Sequence, residues 1–382
     1  MVIGAAVLAG ACMPSVAVAV AAPDDHAAAL QRDVNALRAT GASGVLAESS
    51  VSGRPLAVRA GVADPATGRP VPWNARHRIA STTKTFVATV VLQLVGEGKI
   101  GLADTVDRWL PGLVAGNGND GREITVRQLL GHTSGLPEYE TPMERATTAE
   151  DFRRERFHAY RPEQLIAMAV RHRPMFAPGK GWGYSNTNYV LAGMIIEKVT
   201  GAPWQQAVHE RLVEPLGLTG TVIPGTSADL PSPRLAAYRR LRPGGPPVDV
   251  STFTAGHADA SIISTPRDVN RFFGALLGGR LLKAAQLRQM ETTEPATPYA
   301  AIWDEPGYGL GLMKRRLPCG GWVWFHGGGW WNAITDNAVT PDGRHAVTVA
   351  IASTLEPGQD PTPQAKASAA LIDHALCATR AG

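Results

Sequence analysis

The sequence predicts an α/β fold of the α+β type, with strands from both ends of the chain in one region and a helical segment inserted between them. Three observations point there. Alternating apolar and β-branched stretches sit near the two ends of the 382 residues. The middle carries apolar residues at helical spacing. No linker is long enough to separate independent domains. One domain is therefore expected over 24–382, with an α/β region from 24–80 and 266–382 and a helical region over about 85–265. A hydrophobic content of 44% supplies the core.

The first element is not structural. Val2–Ala22 is small and apolar, no charge lies between Met1 and Pro23, and Ala19-Val20-Ala21 reads as a signal-peptidase site. Residues 1–21 are thus expected to be a signal peptide, and the mature chain to be secreted without a stable membrane anchor. Pro14 and the glycines make the run a poor membrane span, and Ala9 stands where a lipoprotein signal before Cys12 needs Leu. No Lys or Arg precedes the apolar run, so the true start is expected upstream.

Asp24–Thr40 places Leu30, Val34 and Leu37 on one face of an opening helix. Gly44–Val62 should form a strand pair turning at Ser52-Gly53-Arg54-Pro55, followed by a turn at Thr67-Gly68 within Asp64–Val71. A strong helix begins at Ser81, with Val87, Val90, Val91 and Leu94 as its apolar stripe and Gly96 and Gly98 as its stop. Further helices are expected at Ile124–Leu130, Pro162–Val170, Tyr189–Val199 and Pro203–Leu212. Asp268–Leu277 makes another, entered through Ser264-Thr265-Pro266. Gly321–Phe325, Asn332–Thr340 and His345–Ser353 read as strands, the last two joined at Pro341-Asp342-Gly343, and Pro361–Thr379 as a closing helix.

Composition narrows the function. Lys+Arg of 37 against Asp+Glu of 33 gives a net charge of +4, with no basic run dense enough for a nucleic-acid groove. The pairs Arg239–Arg240 and Arg315–Arg316 read as solvated charge. Without the signal segment two cysteines remain, Cys319 and Cys377; one disulfide or two buried thiols fit that count equally. There is no Gly-x-Ser-x-Gly, His-Glu-x-x-His or Cys-x-x-Cys. Gly96-Glu97-Gly98-Lys99-Ile100-Gly101 follows a helix where a dinucleotide site needs a strand, so it reads as a helix stop.

Three pieces can carry chemistry. In Ser81-Thr82-Thr83-Lys84 the hydroxyl and amine share a helix face. Serine needs a base to take its proton, and lysine serves only if burial or positive potential lowers its pKa. A helix start offers such a potential and a free N–H for an oxyanion. Lys84 is the only Lys with Ser three residues before it, and apolar Ile79-Ala80 and Phe86-Val87 flank the pair. The second piece is Tyr184-Ser185-Asn186: a phenol beside a cationic Lys can ionise and shuttle protons, and an amide can position a carbonyl. The third is His326-Gly327-Gly328-Gly329 at a strand end, where small residues let a substrate lie along the edge.

Together and in this order the pieces resemble the serine β-lactamase and penicillin-binding superfamily, which carries Ser-x-x-Lys, then Tyr-x-Asn, then Lys/His-Thr/Ser-Gly. The phrases Arg78-Ile79-Ala80-Ser81-Thr82-Thr83-Lys84, Leu129-Leu130-Gly131-His132-Thr133-Ser134-Gly135-Leu136, Ile263-Ser264-Thr265 and Tyr308-Gly309-Leu310-Gly311-Leu312 extend the likeness from about Val45 to beyond Ser353. Tyr-Ser-Asn followed by His is most similar to actinomycete D-alanyl-D-alanine carboxypeptidases.

The resemblance implies an antiparallel sheet flanked by helices beside an all-helical region, and a Cys319–Cys377 disulfide. It also implies site roles. Ser81 would be the acylated nucleophile and Lys84 its base; Tyr184 would relay the proton to the leaving group. Asn186 would hold the substrate amide, and His326 would supply polar or positive potential near the phenol. Gly328 and Gly329 would line the substrate, with the N–H groups of Ser81 and Gly329 as oxyanion hole. The implied activity is D,D-carboxypeptidase action on peptidoglycan peptides, inhibited by β-lactams, in a monomer with no metal or organic cofactor.

Two departures bear on substrate. Gly327 and Gly329 stand where hydroxyls usually help bind a terminal carboxylate, and Met313 stands where an Arg is expected. Lys314, Arg315 and Arg316 follow and could substitute. Each lost charge-assisted hydrogen bond costs roughly 1.5–3 kcal/mol of recognition. The alternative is therefore a β-lactamase-like esterase or amidohydrolase, or a class C-like β-lactamase. Trp330 and Trp331 either line an apolar acyl pocket or pack as strand aromatics. A penicillin-sensing module without turnover is disfavoured, because binding alone needs no activated nucleophile.

Overall fold

The computed structural model describes residues 23–255 and 257–378, so the expected signal peptide lies outside the described residues. Helix α1 (Pro23–Ala39) opens the chain, followed by β1 (Ala42–Val51) and β2 (Arg54–Asp64). Ser52 and Gly53 between them take positive φ of 49° and 79°, the two left-handed residues a tight hairpin requires. The C-terminal part supplies β3 (Trp322–Phe325), β4 (Gly328–Trp330), β5 (Ala333–Val339), β6 (His345–Ser353) and helix α5 (Thr362–Cys377). Between them run α2 (Thr83–Gly96), α3 (Thr187–Thr200) and α4 (Pro266–Leu277).

The strands form one ten-stranded antiparallel sheet. From one edge it runs Glu294–Pro295, Gly307–Tyr308, Met313–Arg316, β3, β5, β6, β1, β2, Arg69–Pro70, with β4 continuing alongside β5. The first and last strands of the chain thus pair with each other inside the sheet. On one face α1 and α5 bury Leu30, Val34, Leu37, Leu371 and Ile372 against Val45, Val347 and Val349. On the other, Phe272 of α4 stacks on Phe86 of α2 at 3.6 Å between ring centroids, joining the sheet to the helical region.

Helix α2 departs from the expected stripe. Thr83 to Leu92 are all buried, as is Leu94, so the helix is enclosed on every side rather than lying across a surface. Its hydroxyls are satisfied outward: Thr82 donates to His326 O at 2.8 Å and Thr85 to Gly311 O at 2.7 Å. The expected Pro203–Leu212 helix breaks into Trp204–Val208, a widened π turn over His209–Val213, and Glu214–Leu216. Pro215 lacks an N–H and its ring crowds the preceding turn, which fits that widening.

The solvated reading of the arginine pairs is corrected for Arg315 and Arg239 and holds for the exposed Arg316. Arg315 is buried and meets Asp373 of α5 at 2.6 Å, and Arg239 is half-buried with its guanidinium 5.0 Å from the Trp331 ring. Cys319 and Cys377 are joined, tying the turn before β3 to the end of α5. No described helix is long and apolar enough to cross a membrane.

Candidate active site

Ser81 lies in a 3₁₀ turn, Ala80–Thr82, that leads into α2, one turn before Lys84. Lys84 is 0% exposed. Its Nζ lies 2.9 Å from Ser81 Oγ, 2.6 Å from Asn186 Oδ1 and 2.8 Å from the Asp259 carbonyl oxygen. These are three neutral oxygens. An ammonium would donate to all of them; a neutral amine donates to the two carbonyls, which can only accept, and turns its lone pair to the Ser81 hydroxyl. Burial lowers the Lys84 pKa, while Asp259 and Glu138 oppose the fall. The pair is built so that the amine can exist uncharged.

Asn186 is fixed by its two neighbours. Its Oδ1 faces Lys84, and its Nδ2 donates to Glu138 Oε1 at 2.7 Å while its backbone N–H donates to Oε2 at 2.6 Å. One Nδ2 hydrogen remains for a substrate oxygen. Burial raises the Glu138 carboxyl, and the bonds from Asn186 hold it down. The Asp259 carboxylate accepts from Tyr139 at 2.9 Å.

The Tyr184 ring stands 5.0 Å from Lys84 Nζ and 4.2 Å from the His132 ring. Its hydroxyl is buried without a hydrogen-bond partner among the described residues, though the Ser81 hydroxyl is near enough to influence it. Burial pushes the phenol well above its ordinary pKa, against the pull of Ser81. The expected ionised tyrosine is therefore a neutral, unspent donor in the resting site. His132 holds the ring in place: its Nδ1 accepts from Asn188 Nδ2 at 3.0 Å and from the Ser185 N–H at 3.2 Å.

His326 is brought near but differently from expectation. Its Nε2 accepts from the Tyr308 hydroxyl at 2.9 Å, and its Nδ1 donates to the Gly327 carbonyl at 2.7 Å. Burial, then the nearby Lys84, lowers its pKa to about 3. It is neutral and supplies no positive potential. Its ring centroid lies 6.4 Å from that of Tyr184, and its backbone ties β3 to α2 through Thr82 and to β5 through Asn337.

Gly328 explains the glycine run. A Cβ there would stand 2.2 Å from Ile79 O and 2.7 Å from Ser81 N, so only glycine lets β4 lie against the nucleophile's turn. The β4–β5 hairpin closes at Trp330↔Ala333 around Trp331 and Asn332, both at positive φ (47° and 62°). A two-residue hairpin has a hydrogen-bonded closing pair, and alternation then points the N–H and C=O of Gly329 away from β5, unspent on its partner strand.

The cations expected to replace the missing Arg are elsewhere. Lys314 lies over the Trp322 ring at 4.7 Å, Arg315 meets Asp373 and Arg316 meets Glu305 at 3.0 Å. Sequence reading missed Glu138, Asp259, Tyr139 and the Tyr308 partner of His326. Tyr308 and His132 did lie inside the family-like segments Tyr308–Leu312 and Leu129–Leu136; Asp259 carried no signal, since it acts through its backbone oxygen.

The protein-family model described as Beta-lactamase matches residues 28–373. A D-stereospecific amidohydrolase from Streptomyces sp. has a similar structure at 44% identity and a TM-score of 0.79, covering 85% of this chain and 94% of that one. A D-amino acid amidase from Ochrobactrum anthropi SV3, solved with L-phenylalanine amide, is similar at 27% identity and a TM-score of 0.79, covering 93% and 99%. Esterase EstB of Burkholderia gladioli is 36% identical over 165 residues, 41% of each chain. Matches to the curated relatives span 28–41% of those proteins' lengths. A Ser-Lys pair under a tyrosine, on this sheet and with this match, places the chain in the Beta-lactamase family, among its hydrolases and penicillin-binding homologues.

Proposed function

We propose that the protein is an exported serine amidohydrolase acting on small amides of D-amino acids through an acyl-enzyme. One observation carries the reading: the Ser81 hydroxyl stands 2.9 Å from an amine buried among neutral oxygens. Ser81 Oγ attacks the amide carbon as its proton passes to Lys84 Nζ, and the oxygen that gains charge is met by the N–H groups of Ser81 and Gly329. The C–N bond then breaks. Tyr184, the unspent donor, gives its proton to the departing nitrogen and recovers one from Lys84. Water attacks the ester on Ser81, returning its proton through Lys84 and releasing the free acid.

Substrate class follows from charge. A carboxypeptidase must hold a terminal carboxylate, and none of Lys314, Arg315 and Arg316 turns towards Ser81. Glu138 near Lys84 disfavours an anionic group further. Similarity to a D-stereospecific amidohydrolase and a D-amino acid amidase supports D-amino acid amides over D-Ala-D-Ala peptides. β-Lactams, being strained amides, would acylate Ser81 by the same step.

The test measures ammonia from D- and L-phenylalanine amide, D-Ala from an acyl-D-Ala-D-Ala peptide, and p-nitrophenyl acetate hydrolysis, with Ser81→Ala as blank. The D-amide should be cleaved fastest among the amides. Faster D-Ala release would restore the carboxypeptidase reading, and ester turnover alone would make the protein an esterase.

A further inference from the structure

Strand β4 has a direction relative to the chemistry. Its approach, at His326, lies beside Tyr184, the donor to the leaving group. Gly328 abuts Ser81, and Trp330 follows roughly 7 Å further along, on the same face of the strand. A scissile carbonyl at Ser81 therefore sends its leaving group towards Tyr184 and its acyl part towards Trp330.

Beyond Trp330 lies a cavity of about 300 Å³, walled by Tyr139, Tyr160, Trp204, Leu165 and Ala255. Its wall is braced. Phe253 meets Trp330 edge-on at 4.7 Å, and Arg78, three residues before Ser81, lies 4.2 Å over the Phe253 ring. The buried Arg78 donates to the carbonyls of Phe253, Ser251 and Ala228 at 2.8, 3.2 and 2.9 Å.

Resting on the acyl-transfer reading above, we propose that this cavity receives the acyl side chain and selects a bulky aromatic one. Size and lining favour this: an apolar cavity of about 150 Å³ already accepts benzene. Three carboxylates also border the cavity, which raises a cationic side chain as the rival. All three have local partners. Glu144 accepts from Thr141 N and Oγ1 at 2.8 and 3.1 Å, Glu197 from Trp204 N at 3.3 Å, and Glu155 from Arg154 at 3.3 Å. Burial raises Glu144 and Glu197 towards their uncharged forms, Glu155 has Arg154, and Arg161 borders the same cavity, so a cation is poorly matched there, whereas the aromatic walls have apolar surface left to cover.

The experiment measures kcat/KM for D-phenylalanine, D-alanine and D-lysine amides, and for p-nitrophenyl esters of the same acyl groups. Binding of the free D-amino acids to the Ser81→Ala protein serves as a turnover-free readout. The aromatic substrate should lead alanine by roughly 10- to 100-fold. Ala255→Phe, which fills the cavity, should collapse that ratio, with Trp330→Ala as the second variant should the first fail to fold. Aromatic preference among the esters alone would keep the pocket and sink the amidohydrolase reading. Amide cleavage without size preference would do the reverse. A lysine preference removed by Glu144→Gln would overturn the aromatic assignment.

Discussion

Two buried cations, Lys84 and Arg315, belong to opposite faces of the sheet and are treated in opposite ways. Arg315, between the sheet and α5, meets a carboxylate at 2.6 Å, a close ion contact beside the Cys319–Cys377 bond. Lys84, at the start of α2, meets only neutral oxygens, with carboxylates felt from further away. Taking a charge out of water is costly in either place. At Arg315 a carboxylate partner offsets the cost. At Lys84 the cost is left standing as a lowered pKa, so the amine can take a proton from Ser81. The difference separates a structural side from a reactive one.

Exchanging each cation for Met breaks the comparison most sharply. Lys84→Met should lower turnover on the order of 10²–10⁴-fold, with little change in the unfolding midpoint, since the relieved desolvation of a buried amine is set against the acceptors it leaves at Asn186 and Asp259. Arg315→Met should leave turnover intact and cost roughly 1–3 kcal/mol in urea unfolding. This falls below the figure for fully buried pairs because Asp373 is 17% exposed. Matching losses of stability in both variants would erase the distinction.

Reduction probes the structural side. Cys319 and Cys377 are 58 residues apart, and opening that loop should cost about 4 kcal/mol by the chain-entropy relation. Refolded, reduced protein should retain its turnover per folded molecule. Loss of turnover without unfolding would mean the two sides are coupled.

Acid probes the imidazoles behind the reactive side. Burial lowers His77 to about 4, while its Nε2 lies 2.8 Å from Thr335 Oγ1. Below pH 6.5 the unfolded chain takes up a proton that the folded one refuses, so stability present above that pH is lost as it falls towards 4. The loss is on the order of 3 kcal/mol. His77→Gln should flatten the slope of unfolding free energy against pH. A slope unaltered in the variant would show that His77 is not the group.

Gly328→Ala is the mildest change in atoms and tests the register of β4 against Ser81. A Cβ 2.2 Å from Ile79 O must displace the strand, and a displacement of about 1 Å is expected to cost on the order of 10²-fold in turnover. Full activity would mean that β4 yields without disturbing the site.

Much of this was legible in the sequence, for local reasons. The sheet-forming ends announce themselves by alternation, and the Ser81–Lys84 pair by a spacing that one helical turn makes geometric. Tyr184 and Asn186 came with them, since two residues share a loop. The charge states were not legible, because they depend on burial: His326 reads in sequence as a source of polar or positive potential and is a neutral acceptor from Tyr308 in the fold. Asp259 contributes a backbone oxygen, which any residue type could do. Arg315 looked solvated because its partner, Asp373, lies far along the chain. The helix at Ala149–Glu155 was missed although Thr148 caps it through the Asp151 N–H at 3.1 Å.

The account rests on an amine that loses its proton easily while buried beside a serine. Titrating protein labelled with ¹³C at lysine Cε, with the Lys84→Met variant to assign the signal, measures that directly. One resonance, absent from the variant, should titrate well below the other lysines, and turnover should rise with pH through the same midpoint. A Lys84 signal titrating together with the surface lysines, in an enzyme still active at neutral pH, would contradict it.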